Sequence, residues 1–398
     1  MRVALLSMTI PSDGADGGYR ASIEFAGRSI ALRQLDLALA LGCERIVCLA
    51  DHLHQPLLPL QHRCEAAGAR FHVVTGPRPL VGLLRATDEL LVLAEGLLPL
   101  ESSVFELFSK HSGVLVLPAE TGIPAGFERV DLNHAWAGAL SMPGRLVERL
   151  AELPPDCDVI GSLLRIALQS RVPEIPLPDA VLAEGRWPLV ARQEQAAALE
   201  PSWLRRHLPQ TAGFSPFSSL AKILLSTFGV ALLRRGRRAG AYLAIAPILA
   251  LGGLALGLGF SPALGFLLTV LSFIAAQFAS GLYRLEAASR DAGVGHLLLE
   301  RVQVWLLDGC IAAIAACAVQ AGQGELRDGI FVGIALIALL RLLATILPAT
   351  WIALASDRGV LGLALAAAAA TGTILPVVQL IIVAGLVGGV VIQCLRQR

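Results

Sequence analysis

The sequence predicts an α/β domain with a mostly parallel sheet, joined to an all-α polytopic membrane domain of about six transmembrane helices. Three features carry that expectation. Short apolar runs alternate with helical stretches in the first half, long apolar runs follow one another from about residue 240, and arginines gather at one end of those runs. The predicted boundaries are 1–200 for a cytoplasmic α/β domain, 201–239 for a linker and interfacial helix, and 240–398 for the transmembrane domain.

Val3-Ala4-Leu5-Leu6 reads as a buried strand, and the loop after it holds Gly14, Gly17 and Gly18. The spacing of Leu32, Leu35, Leu37 and Leu39 predicts a helix over 30–41, with Gly42 as its stop. Further strands are predicted at 45–49, 71–74, 89–94 and 113–117. Strands that alternate with helices imply a sheet covered on both faces. Pro201, Pro209 and Pro216 break up the junction. Beyond them, 220–233 reads as an apolar-faced helix ending in Arg234-Arg235-Gly236-Arg237-Arg238, suited to the interface with its arginines at anionic headgroups.

Spans are predicted at 241–259, 262–282, 302–321, 329–348, 359–374 and 376–394, the fifth being short and alanine-rich. Arg234, Arg235, Arg237 and Arg238 precede the first span, and Arg284, Arg290 and Arg301 flank the second and third. Arg358 sits between the fourth and fifth, and Arg396 and Arg398 follow the sixth, whereas the other side offers only Arg327. The positive-inside rule then predicts a multi-pass protein of the inner membrane with both termini and the 283–301 segment cytoplasmic. Met1-Arg2 leads into only a short apolar run before polar, glycine-rich sequence, which does not read as a signal peptide.

Composition narrows the partners. A hydrophobic content of 55% exceeds that of an ordinary soluble chain, and 32 basic against 31 acidic residues argue against nucleic acid. Only Lys110 and Lys222 are lysines, so nearly all positive charge is arginine. The seven cysteines form no C-x-x-C pair and read as reduced core residues. His52, His54 and His62 read as surface residues rather than a metal site. Asp308 and Arg341 fall inside predicted spans, where a structural ion pair is the plainer reading than a transport pathway.

The run Ile23-Glu24-Phe25-Ala26-Gly27-Arg28-Ser29-Ile30-Ala31-Leu32-Arg33-Gln34, continuing to Gly42-Cys43-Glu44-Arg45-Ile46-Val47, resembles the sugar-nucleotide-type nucleotidyltransferases in pattern and order over roughly the first 120 residues. The resemblance implies a glycine loop whose N–H groups approach phosphate, drawn from Gly14, Gly17 and Gly18, with Arg20 about where the family has a lysine. Glu95 stands where that family places a magnesium-binding aspartate, and its extra methylene moves the carboxylate. The expectation is a retained fold with a dead or altered nucleotide pocket.

Gln277-Phe278-Ala279-Ser280-Gly281-Leu282-Tyr283-Arg284, followed eight residues on by Gly293, resembles the CDP-alcohol phosphatidyltransferases, whose signature is D-x2-D-G-x2-A-R-x8-G-x3-D-x3-D. Anchored on Arg284, the four aspartate positions fall on Ala276, Ala279, Leu297 and Arg301. The resemblance implies phosphate contacts from Arg284, Gly293 and Arg301, with no metal expected because alanine and leucine cannot ligate one. In a shifted register His296 and Glu300 stand in for the last two aspartates, with Asp291 as a further carboxylate. Glu95, Asp291 and Glu300 are thus the metal candidates, and Mg2+ enters only if a site is active.

The leading expectation is a divergent, catalytically impaired protein of phospholipid or polar-headgroup metabolism that binds nucleotide, phosphate or a partner transferase. The alternatives are an active transferase with altered metal ligands and, less favoured for want of a repeat, a small-solute transporter. Implied partners are a membrane lipid, CTP or a CDP-alcohol, a second copy of the chain, or an intact transferase.

Overall fold

A computed structural model describes residues 1–14, 17–52, 57–100, 102–108, 112–208, 213–234, 240–289, 297–321 and 326–396. The chain divides into two compact units, the first running from Met1 to Ser202 and the second beginning at Trp203.

The first unit is a seven-stranded sheet with helices on both faces. Its strands are β1 (Arg2–Met8), β4 (Arg45–Ala50), β5 (Arg70–Val74), β6 (Glu89–Leu93), β7 (Gly113–Pro118), β8 (His134–Pro143) and β9 (Glu174–Pro176), with a separate hairpin of β2 (Glu24–Phe25) and β3 (Arg28–Ser29). The order across the sheet is β5-β4-β1-β6-β8-β7-β9. Every strand runs the same way except β8, which pairs antiparallel with both β6 and β7. The helices are α1 (Ile30–Ala40), α2 (Leu57–Ala66), α3 (Pro77–Leu83), α4 (Ala119–Gly122), α5 (Gly144–Val147), α6 (Val159–Gln169) and α7 (Asp179–Ala183), and α8 (Gln193–His207) carries the chain across the division at Ser202.

The two-residue period of the strands splits the core. Ala4, Leu6 and Met8 of β1 pack with Leu35 and Ala38 of α1 and Leu57 and Leu60 of α2. Val3 and Leu5 point the other way, to Leu80 of α3 and Val159, Leu163 and Ala167 of α6. Each fully buried leucine on these faces contributes about 1.5–3 kcal/mol of transfer free energy. The predicted helix over 30–41 matches α1, whose Ser29 caps the N–H of Leu32 and whose chain turns off at Gly42 (φ +77°).

The strand β8 lies outside the predicted set. Its sequence, His134-Ala135-Trp136-Ala137-Gly138-Ala139-Leu140-Ser141-Met142-Pro143, is poor in β-branched residues and bends at Gly138 (φ +80°). It forms because Leu140, Met142 and Trp136 are buried on one face and Ala135, Ala137 and Ala139 on the other, which is tertiary packing overriding propensity.

The second unit is all helical: α9 (Pro216–Arg234), α10 (Gly240–Leu243), α11 (Ile245–Gly259), α12 (Pro262–Ser289), α13 (Leu297–Ala321), α14 (Leu326–Ile346), α15 (Ala349–Ala355), α16 (Arg358–Ala370) and α17 (Ile374–Arg396). Among the described residues, five helical stretches are long and apolar enough to cross a membrane: Pro216–Arg234, Gly240–Gly259, Pro262–Ala288, Glu300–Gln320 and Ile374–Cys394. The chain is therefore a multi-pass membrane protein. The segment predicted as an interfacial helix is among the five, and shows exposed Leu220, Ile223 and Phe228 opposite a buried Ala221, Leu225 and Gly229 stripe. The predicted span 329–348 corresponds to the 21-residue α14, which carries Arg327, Asp328 and Arg341. The predicted span 359–374 is corrected: it folds as α16, only 13 residues long, because Thr371, Gly372 (φ +71°) and Thr373 end the helix early.

Small residues bring the helices together. A Cβ on Gly265 of α12 would lie 2.6 Å from the Gly257 Cα of α11, so only glycine allows that approach. Gly329 and Gly333 of α14 sit in the same way on Ala316 and Ala312 of α13. Around these crossings Phe266, Ile311, Ile314, Leu336, Leu365 and Val378 form the buried apolar core.

Candidate functional site

The helical unit contains a cleft of about 430 Å³ whose walls come from α9, α12, α13, α14, α15 and α16. Its polar lining is unusual for a membrane interior. Lys222, Arg284, Arg341 and Arg358 meet there with Glu300, while Phe273, Ala276, Leu307 and Leu340 supply apolar wall. Charged groups within apolar helices are costly and occur where they pair or face a polar cavity.

Two ion-pair groups organise the lining. Arg284 of α12 donates from Nε and Nη2 to Glu300 Oε1 at 3.1 and 2.9 Å, and from Nη2 to Oε2 at 2.8 Å. Asp308 of α13, only 1% exposed, accepts from Arg358 Nε at 2.8 Å and from Arg341 Nη2 at 2.5 Å. Arg341 also lies 4.0 Å from the centre of the Trp305 ring, so it is held on its flat face as well as its edge. The predicted Asp308–Arg341 pair is present. Arg358, placed by sequence between the fourth and fifth spans, is 6% exposed and belongs to the same group.

Asp357 explains how Arg358 is aimed. Its carboxylate caps α16 by accepting from Gly359 N at 2.9 Å, and it also accepts from Ser215 Oγ at 2.7 Å and Phe217 N at 3.1 Å at the start of α9. One buried carboxylate thus ties together the ends of two helices, and the next residue turns inward to Asp308.

The cleft sorts the sequence-predicted residues. Arg284 and Glu300 line it, as do Ala276, Gln277, Ser280 and Gly281 of the same motif. Ala279 is buried against protein. Arg301, expected at the phosphate, is exposed and is not among the residues that line the cleft. Adjacent residues on a helix differ by about 100° in direction, so Glu300 facing inward turns Arg301 away. Asp291, Gly293 and His296 lie outside the described residues.

In the first unit a pocket of about 400 Å³ opens at the carboxyl end of β1, lined by Ser7, Thr9, Arg20, Glu95, Glu128 and Asp158 among others. Arg20 pairs with Asp13 at 2.9 Å, and its Nε is buried with no hydrogen-bond partner among the described residues. Gly14, Gly17 and Gly18 are not among its lining residues; Gly17 (φ +62°) and Gly18 belong to a loop that closes through Ser12 N to Gly18 O and a Pro11–Tyr19 bridge. Burial, joined by the Asp158 charge, holds the Glu128 carboxyl above its usual range, against the opposing pull of Arg165.

Glu95 is 4% exposed, and both its oxygens are engaged by protein donors. Oε2 accepts from Ser7 Oγ at 3.0 Å, Thr9 N at 2.7 Å and Ile10 N at 3.0 Å, and Oε1 accepts from Ala21 N at 3.3 Å. Oε2 is thus saturated with donors, whereas Oε1 accepts a single long hydrogen bond. Among the described residues, the one group of three ligand types near enough to share an ion is Asp131, His134 and Glu174, and none of them lines this pocket.

No family model and no curated protein matches the chain. Among solved structures, it is similar to a UDP-glucose pyrophosphorylase from Acinetobacter baumanii at 8% identity and a TM-score of 0.35, over 52% of this chain and 94% of that one. A likeness of that depth bears on neither activity nor substrate.

Proposed function

We propose that this multi-pass protein binds a phosphate-bearing amphiphile, a lipid phosphate of the inner membrane, in the cleft of its helical unit and without a divalent ion. The observation that carries the reading is the charge balance of the lining. Lys222, Arg284, Arg341 and Arg358 line the cleft beside a single lining carboxylate, Glu300. An anion placed among clustered cations lowers their mutual repulsion. Arginine suits the task because its planar fork matches phosphate oxygens two at a time. The apolar wall of Phe273, Leu307 and Leu340 favours an amphiphile over a free polar ion.

Ala276 supports the same conclusion from the other direction. It lines the cleft at a position where the resembling phosphatidyltransferases have a metal-binding aspartate, and it cannot hold a metal. The reading therefore places the protein in phospholipid or polar-headgroup metabolism as a binding component rather than a metal-dependent transferase. Both termini and the 283–301 segment face the cytoplasm in this account, on the arginine asymmetry alone.

A photoactivatable phosphatidic acid tests it. Irradiation of the membrane-embedded protein should label α9, α12 or α13 around the cleft, and unlabelled phosphatidic acid should compete. Labelling spread over exposed apolar residues such as Phe331 and Leu380, with no competition, would reject the site.

A further inference from the structure

We propose that the backbone at the carboxyl end of β1 forms an anion cradle that the protein keeps shut with its own Glu95. The N–H groups of Thr9 and Ile10, consecutive in the chain, converge on one oxygen of Glu95 at 2.7 and 3.0 Å, and the Ala21 N–H reaches the other at 3.3 Å. The Ser7 hydroxyl adds a donor to the first oxygen at 3.0 Å. Successive backbone N–H groups converging on one point are an arrangement that binds phosphate and other anions. Here the anion is built in.

The turn that carries Glu95 is held too firmly to be a passing contact. Ala94 N donates to Gly138 O at 2.7 Å, and Gln34 Nε2, from a side chain that is 1% exposed, donates to Ala94 O at 2.9 Å and Leu97 O at 2.8 Å. Gly96 adopts φ +85°, and a Cβ there would lie 2.4 Å from Val190 O. The backbone around residue 95 is thus fixed from several sides, and the side chain has the length to reach the cradle. Thr9, Ile10, Arg20 and Glu95 all line the 400 Å³ pocket, so an anion that replaced the carboxylate would enter from there and meet Arg20, whose Nε has no partner among the described residues.

The ligand class follows from the donors. A tetrahedral oxyanion such as a phosphate or diphosphate accepts from several N–H groups at once, whereas the Glu95 carboxylate both fills the cradle and repels such a ligand. The inference is independent of the membrane cleft, since every residue it uses belongs to the first unit.

Calorimetry on the full-length protein in detergent, with inorganic pyrophosphate and CTP as probes, tests the idea. The unaltered protein should give no saturable binding. Glu95→Ala and the shorter Glu95→Asp should each give saturable binding of at least one probe, because vacated N–H donors then seek an acceptor. Glu95→Gln, whose amide oxygen still accepts, should stay closed. Hydrogen exchange on the unaltered protein supplies a readout free of folding defects, with the Thr9 and Ile10 amides expected to exchange slowly. Tight probe binding by the unaltered protein, a folded Glu95→Asp that binds no better than it, or rapid exchange at Thr9 and Ile10 would each overturn the proposal.

Discussion

Arg284 grips both carboxylate oxygens of Glu300 with one nitrogen, Nη2, at 2.9 and 2.8 Å. In the proposed reading an incoming phosphate competes with Glu300 for that guanidinium. Glu300→Gln should therefore tighten binding of a lipid phosphate, by roughly fivefold, about 1 kcal/mol for a part-exposed ion pair. Arg284→Gln should weaken it. Fluorescence titration with a labelled phosphatidic acid compares the two. Weaker binding in Glu300→Gln would mean that the carboxylate holds the ligand, directly or through a cation.

Asp308 is the hub of the buried charge group, and its loss leaves Arg341 and Arg358 to repel each other. Asp308→Asn should destabilise the detergent-solubilised protein by about 3–5 kcal/mol, the usual consequence of removing one member of a buried pair. Arg341→Met should be milder than Arg358→Met, since Arg341 is 34% exposed against 6%. Thermal unfolding followed by intrinsic tryptophan fluorescence ranks the three variants. Equal melting for Asp308→Asn and the unaltered protein would deny the group a structural role.

Gly96→Ala should destabilise the first unit by about 2 kcal/mol or more, because strain at positive φ adds to a close contact with Val190 O. The variant also tests how rigidly Glu95 is held. Hydrogen exchange should quicken at Thr9 and Ile10 together with residues 94–97. Unchanged exchange would show that the turn does not hold the carboxylate in place.

Burial pushes the thiol of Cys43 up to about 12, the nearby Arg2 opposing and Glu89 adding; burial, aided by the Glu95 charge, does the same for Cys48. A raised thiol pKa means that the folded state keeps a proton which the unfolded state loses. The thiols' contribution is thus fully present below the unfolded pKa, near 8.5, and falls as pH rises toward 12, by up to about 1.4 kcal/mol per pH unit for each thiol. Denaturation of the first unit at pH 8 and pH 10 checks the sign. Alkylation at pH 8 should spare both thiols in the folded protein and reach the exposed Cys394.

The parallel part of the sheet was legible because β1, β4, β5, β6 and β7 are runs of Val, Leu and Ile between helices, and period alone separates those. The strand β8 was not, since Ala, Gly and Ser at its positions carry no strand signal and pairing alone recruits them. Arg284 could be found from the spacing of its motif. Arg358 could not, because in sequence it opens a weakly apolar segment after Asp357 and looks like a membrane anchor. Its partner Asp308 lies 50 residues away on another helix, and the Asp357 carboxylate beside it reaches Ser215 across 142 residues, contacts that only the tertiary fold makes. Glu95 was recognised as a candidate from its place after a buried strand. Its donors come from Ser7, Thr9, Ile10 and Ala21, more than 70 residues away, so the closed cradle is a tertiary fact.

The central claim is that arginines, and not a metal, hold a phosphate in the membrane cleft. Native mass spectrometry of the detergent-solubilised protein with phosphatidic acid and phosphatidylcholine in equal amounts, after treatment with EDTA, measures it directly. The account predicts retained phosphatidic acid in preference to phosphatidylcholine, unaffected by EDTA and lost in the Arg284→Gln, Arg341→Met double variant. Preference that vanishes with EDTA and returns with Mg2+, or one that survives the double variant, would contradict it.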